Sequence, residues 1–321
     1  MTLQLNFPSF LNTTAALFIM LALGFVLGKL KIIDQTASKK LSRLILSVAQ
    51  PALIIHSLTK TPYSTSALRL GLTTFLFGFA LLSVSSAIAF FACAKIRDID
   101  ERKLMEFTMN FGNVGFIGIP ILGSLIGDTG EFMASFFIAS FNVMLWTWGI
   151  CVLGRKRPDI KLTPKKILLN FGTVPSVIGF IIFIIPAFIP SFRLPAFATQ
   201  SLSYVSSLCT PVSTLIIGAL ISRVSLKLFF SSPKIYYVCF VKLIAIPMAV
   251  CLIMKLCGFG DLWIIFATII SAMPSATTVS MLAELYDIKP TFSAIAVGAT
   301  SLISIASMPL ITYVANLIIL I

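Results

Sequence analysis

The chain has 321 residues, of which 58% are hydrophobic and 11% charged, with a mean hydropathy of +1.03. That apolar excess excludes a soluble globular class and points to an integral membrane protein. The net charge of +13 is carried in short segments between apolar runs, which argues against nucleic acid as a partner and fits loops beside anionic lipid.

The N-terminus, MTLQLNFPSF, has neither a basic leader region nor a small-residue cleavage site, so the first apolar run is expected to be a retained span. A helix needs about 20 apolar residues to cross the bilayer. Ten candidate spans follow in chain order, at 10–30, 42–59, 68–94, 104–126, 131–153, 167–187, 197–221, 235–256, 262–283 and 290–315. Alternate loops differ sharply in charge. Loops 29–43, 95–103, 154–166 and 222–234, with Lys289, hold nineteen of the 24 Lys and Arg, including Lys161, Lys165, Lys166 and Lys227. The opposite side has Lys60, Arg69, Arg193 and Lys255. The positive-inside rule then puts five loops in the cytoplasm and both termini outside, in the cytoplasmic membrane.

Ten spans with both ends outside divide into five in residues 1–160 and five in 161–321, and an odd number per half makes the second half an inverted copy of the first. Span 2 contains SVAQP (47–51) and span 7 contains SLCTP (207–211), each with a serine four residues before a proline. Span 4 has Pro120 and span 9 has Pro274, so the second and fourth spans of each half are interrupted at matching positions. The expected fold is all-α, with ten transmembrane helices in two inverted five-helix repeats and broken helices 4 and 9 crossing.

The breaks carry the functional reading. NFGNVGFIGIP (110–120) places three glycines, two asparagines and a proline in a run without charge, although glycine costs about 1 and proline about 3 kcal/mol in a helix interior. In hydrocarbon such breaks survive only inside protein or along a wet cavity. Asn110, Asn113, Gly115 and Pro120 on span 4 would face Ser271, Pro274, Thr277 and Thr278 on span 9, in SAMPSATTVS (271–280). Half-helix N-termini there would present N–H groups to an anion. Close packing by small residues is the alternative use of such a stretch. Gln50 and Thr210, before the prolines of spans 2 and 7, are open between the two uses. Lys242 lies about 12 Å deeper than Lys234 along span 8. It either snorkels to the surface or serves as counter-charge to an anion. Glu106 and Glu284 flank spans 4 and 9, with helix-end solvation the default. His56, the single histidine, is an interfacial candidate near the outer end of span 2. The six cysteines are scattered without a CxxC and read as apolar fillers. Neither a zinc-protease, serine-hydrolase nor nucleotide-binding motif is present, so neither an enzyme nor an ATP-driven pump is expected.

Four segments resemble the auxin efflux carrier family, which holds plant auxin carriers and bacterial malonate and malate permeases. They are LSRLILSVAQPALIIHSL (41–58), NFGNVGFIGIPILGSLIGDTG (110–130), VKLIAIPMAV (241–250) and SAMPSATTVSMLAELYD (271–287). The long loop of many plant carriers is absent, which favours the compact prokaryotic branch. The resemblance implies a scaffold of spans 1, 2, 6 and 7 and a transport domain of spans 3–5 and 8–10. It places Asn113, Pro120, Lys242 and Pro274 at or near the substrate, with spans 4 and 9 crossing at their prolines. The expected substrate is a small organic anion, a mono- or dicarboxylate such as malate or malonate. H+ or Na+ is the expected coupling ion, with no cofactor, and a homodimer is allowed. Three rivals predict other features. A sodium-coupled symporter of the bile acid type would carry acidic residues inside its spans, which this chain lacks. A receptor or partner subunit would tolerate Asn113→Ala and Pro274→Ala, and a channel would give single-channel currents.

Overall fold

The computed structural model describes residues 5–160, 163, 168–170, 172–223 and 232–320. Lys161, Lys165, Lys166 and Lys227 lie outside the described residues. Among those described, the chain is helical throughout and its one β-type contact is an isolated bridge. Seven helices among the described residues are long and apolar enough to cross a membrane: α1 (Phe7–Lys29), α2 (Gln35–Lys60), α3 (Thr65–Ala92), α6 (Asp128–Leu153), α8 (Ala196–Arg223), α9 (Pro233–Leu256) and α12 (Pro290–Leu320). Shorter apolar helices are α5 (Val114–Ile126), α7 (Thr173–Phe188) and α10 (Asp261–Ala272). Two further helices, α4 (Ile99–Asn110) and α11 (Thr277–Leu285), flank breaks. The chain is a multi-pass membrane protein.

Local chemistry sets the helix ends. Asn6, Asp34, Ser64 and Asp98 each turn a side-chain oxygen onto an amide of the following first turn, satisfying N–H groups that have no intrahelical partner. Gly127, between α5 and α6, has φ +76°, a conformation that residues with a Cβ rarely adopt.

Prolines are absorbed within helices in a repeated way. Turns of π-helix occupy Ile45–Ala49, Val114–Gly118 and Val241–Ala245, each ending two residues before a proline: Pro51, Pro120 and Pro247. The wider turn relieves the clash between the proline ring and the preceding turn. Span 2 is therefore a continuous helix at Pro51 rather than an interrupted one. In α8 the regular hydrogen bonding lapses at Leu208, three residues before Pro211.

Small residues draw helices together. A Cβ on Gly24 would meet Leu215 O at 2.3 Å, and one on Gly218 would meet Leu21 O at 2.1 Å, so α1 and α8 touch backbone to backbone. Gly78 stands against Ser140, bringing α3 onto α6. The largest core cluster runs from Phe107, Met109 and Phe111 through Phe132 and Phe137 to Phe266, Ile269 and Met273. It draws on both halves of the sequence and surrounds the two breaks. Large apolar side chains such as Ile19, Leu76 and Phe188 stay exposed, as lipid-facing positions would.

Candidate functional site

Helix α4 ends at Asn110 and α5 begins at Val114; α10 ends at Ala272 and α11 begins at Thr277. The intervening residues pair as a minimal antiparallel ribbon. Gly112 lies opposite Ser275, Asn113 N donates to Pro274 O at 2.7 Å, and Ala276 N donates to Phe111 O at 2.9 Å. Backbone groups released by the two breaks thus satisfy each other, as a medium without water requires. Ser275 fastens the ribbon further: its hydroxyl donates to Thr108 O at 2.9 Å, and its amide donates to the Thr300 hydroxyl at 3.2 Å. Gly112 is the point of closest approach. A Cβ there would lie 3.1 Å from Met273 Cβ, 3.3 Å from Lys242 Nζ and 3.4 Å from Ile270 O. Four helix ends, two amino and two carboxyl, converge on this crossing.

Pro274 lies in the ribbon. Pro120 does not: it sits seven residues beyond Asn113, about 10 Å along α5, where the π turn accommodates it. The two segments therefore cross at Gly112 and Ser275 rather than at their two prolines. Gly115 is in the first turn of α5, and Gln50 Nε2 lies 3.3 Å from where its Cβ would stand, so Gln50 of α2 reaches the crossing. Thr210 belongs to α8, where its carbonyl accepts from Ser213 and Thr214.

Lys242 is 2% exposed and does not snorkel. Among the described residues it forms no ion pair, and its ammonium donates to Ser271 O at 3.2 Å. It shares a cavity of about 10 Å³, room for one water at most, with Ser85, Asn110, Gly112 and Ser271. Asn110 Nδ2 donates to the Ser86 hydroxyl at 2.6 Å. Four buried polar atoms at the crossing have no partner among the described residues: Asn110 Oδ1, Asn113 Nδ2, Ser271 Oγ and Thr278 Oγ1. Buried polar groups are ordinarily paired, so such a cluster is informative. The carbonyls of Phe111, Gly112, Asn113, Ser271 and Pro274 already accept protein donors, which leaves few of the freed carbonyls to hold a cation. Among the described residues no group of three or more His, Cys, Asp or Glu could hold a metal.

A larger cavity, about 400 Å³, adjoins the crossing. Its wall includes Phe116 of α5 and Thr277 and Ser280 of α11 on one side, and Ser38, Ser42 and Ile45 of α2 with Arg223 of α8 on the other. Lys39 and Glu284 line it as well and form an ion pair of 2.9 Å, both half-exposed. At the far end of α2, Lys60 bridges Asp128 at 2.6 Å and Glu131 at 3.1 Å. His56, one turn earlier, has a buried Nδ1 without a partner among the described residues.

Glu106 departs from the expectation of a solvated helix end. It is 4% exposed and is gripped by Arg102 at 2.8 Å and Arg155 at 2.6 Å, both guanidinium groups lying over the Phe90 ring. Burial of the carboxylate is offset by two charge-assisted hydrogen bonds. All six cysteines are free thiols, with Cys93, Cys209, Cys239 and Cys251 buried. Sequence reasoning passed over Ser86, Thr108, Thr300 and Arg223 as site residues. Paired hydroxyls at 85–86 and 300–301 inside apolar runs were the signal for two of them.

The sequence profile of one family, described as "Membrane transport protein", matches residues 9–166 and 159–312. The chain is 26% identical over 287 residues to an uncharacterized transporter of Methanocaldococcus jannaschii, covering 87% of this chain and 80% of that protein. It is 20% identical over 307 residues to a protein named "Putative malonate transporter" of Rhizobium meliloti, covering 92% of each. An uncharacterized transporter of Methanothermobacter thermautotrophicus is 22% identical over 304 residues, covering 93% of this chain and 96% of the relative. With matches that run through nearly all of its length, the chain belongs to the membrane transport protein family, that of the auxin efflux carriers.

Proposed function

We propose that the chain is a secondary transporter that moves a small organic anion, a mono- or dicarboxylate such as malonate or malate, by alternating access. The observation that carries this reading is the crossing itself: a buried ammonium that has no carboxylate partner among the described residues, near four polar atoms unpaired among those residues, where two helix N-termini meet. In the protein interior an uncompensated charge costs several kcal/mol, and a bound anion would compensate it. Lys242 supplies the counter-charge in this reading. Asn110, Asn113, Ser271 and Thr278 orient the carboxylate, and Gln50, Gly115, Pro120, Pro274 and Thr277 shape the surroundings. The name of the Rhizobium relative makes malonate the first compound to try.

In the same reading, the seven long helices and the three shorter ones with their continuations give ten crossings in two inverted halves, 1–160 and 161–321. Spans 1, 2, 6 and 7 form the scaffold, against which spans 3–5 and 8–10 move as one body. Both termini face outside the cytoplasmic membrane. A proton or sodium gradient drives the cycle, and two copies associate.

Uptake of labelled malonate and malate into proteoliposomes tests the central claim. Imposed pH and sodium gradients, applied separately, identify the coupling ion. Accumulation abolished by Lys242→Met is expected. Failure of well-folded protein to move any carboxylate in either direction would remove the proposal.

A further inference from the structure

Among the described residues the crossing holds a single charge, the Lys242 ammonium. Lys242 stands on the π turn of α9, against α4, α10 and α12. Neither α12 nor α5 has a charged residue. The charge on α10 is Asp261 at its start, ten residues and about 15 Å from Ser271. On α4, Glu106 lies four residues from Asn110, but its carboxylate is spent on Arg102 and Arg155, whose side chains reach the surface at 21% and 27% exposure. On α9 itself, Lys234 pairs with Glu101, and Lys255 donates to Ile319 O. Around the small cavity α3 turns Ser85 and α6 turns Phe137 and Phe141 inward. His56 is six residues past Gln50 on α2, about 9 Å along the axis. Glu284, seven residues into α11, is paired with Lys39. Arg223 is tied to Ser38, twelve residues and about 18 Å from Gln50 along α2, beyond the reach of a malonate-sized molecule at the crossing. The helix ends add little, because the positive amino ends of α5 and α11 are offset by the negative carboxyl ends of α4 and α10.

We infer that the site accepts a passenger of net charge −1, so that a dicarboxylic acid crosses as its hydrogen anion and carries the coupling proton on its own second carboxyl group. This rests on the reading of the chain as an organic-anion carrier and goes beyond it by naming the ionised form carried and the place of the proton. One ammonium compensates one carboxylate. A second carboxylate beside it would be a buried charge without a partner, which the interior of a membrane protein penalises heavily. Protonation removes that charge and turns the group into a hydrogen-bond donor, for which Asn110 Oδ1 and Ser271 Oγ are unused acceptors. The proton is taken from water on the side of entry and returned to water on the side of release. Its passage needs no acidic side chain at the crossing.

Two measurements on the wild-type protein test this, with malonate and malonamate as probes. Malonamate has the malonate skeleton with one carboxylate and one amide, so it stays a monoanion throughout. Above its second dissociation, hydrogen malonate declines about tenfold for each pH unit. By calorimetric titration in detergent, the apparent Kd of malonate should rise at least tenfold between pH 6.0 and pH 7.5, while that of malonamate changes less than twofold. A malonate Kd that stays level or falls would show that the dianion binds. Parallel shifts for both probes would assign the pH effect to the protein, and malonamate failing to bind where malonate binds would show that two carboxylates are required. Each of these results overturns the inference and leaves the carrier reading standing. Absence of carboxylate binding at both pH values would instead remove the carrier reading, and the inference with it. In the second measurement, proteoliposomes at pH 7.5 enclose a pH-sensitive dye. Malonate influx should acidify the lumen in step with the malonate accumulated, and malonamate influx should leave it unchanged. Equal acidification by both would place the coupling proton on the protein and overturn the inference.

Discussion

Replacing Gly112 with alanine probes the crossing most directly. The added methyl would stand 3.1 Å from Met273 Cβ, 3.3 Å from Lys242 Nζ and 3.4 Å from Ile270 O. Ordinary contact begins near 3.4 Å, so the ribbon must open by about 0.3 Å to relieve the Met273 contact. Opening by that amount lengthens the Asn113–Pro274 and Ala276–Phe111 hydrogen bonds from 2.7 and 2.9 Å to about 3.0 and 3.2 Å, which stay within hydrogen-bonding range. Overpacking, rather than lost hydrogen bonds, then dominates, at about 1–3 kcal/mol. We predict an apparent Tm lower by a few degrees. Uptake should fall further, at least tenfold, because the methyl also presses on the Lys242 ammonium. Gly260→Ala is the control, since a Cβ there meets nothing within 4 Å. Thermal unfolding followed by intrinsic fluorescence, together with malonate uptake, measures both effects. A Gly112→Ala protein with unchanged Tm and uptake would refute the close crossing described above.

Lys242→Met should raise the apparent Tm while abolishing uptake, because it removes a buried charge whose one hydrogen-bond partner among the described residues is a carbonyl at 3.2 Å; a lower Tm with retained uptake would make Lys242 a structural residue. Gly218→Ala should destabilise more than Gly112→Ala, since its methyl would fall 2.1 Å from the Leu21 carbonyl oxygen, a backbone atom that cannot rotate away; the same melting assay ranks the two. Lys60→Ala releases Asp128 and Glu131 together and should change the accessibility of a cysteine placed in the α2–α6 contact, read by maleimide labelling in a background without Cys151 and Cys257. The Lys289 ammonium beside Asp98, with the Glu101 and Asp100 amides, holds the Asp98 carboxyl below the usual carboxylate range. A depressed carboxyl stabilises the fold above its unfolded value, near pH 4, and loses that contribution as pH falls through its folded value. Between pH 5 and pH 3 the wild type should therefore lose more Tm than Asp98→Asn, and parallel curves would count against the pairing.

The amino-acid sequence by itself determined the class of this protein, because hydropathy and the alternation of basic loops depend on composition in short windows. It also located the two stretches where the helix fails, since glycine, asparagine and proline are unfavourable in an apolar helix wherever it packs. Local residues could not say which atoms make the break. Proline is the strongest local signal, yet Pro51, Pro120 and Pro247 are each absorbed by a π turn, while the separation on the span 4 side falls at residues 111–113. That choice depends on residues 274–276, more than 160 positions away, whose amide and carbonyl groups complete the ribbon. Burial of Lys242 and the grip of Arg102 and Arg155 on Glu106 are likewise products of packing. Each depends on how far a charge stands from other charges and from solvent, and those distances exist only once the helices have come together.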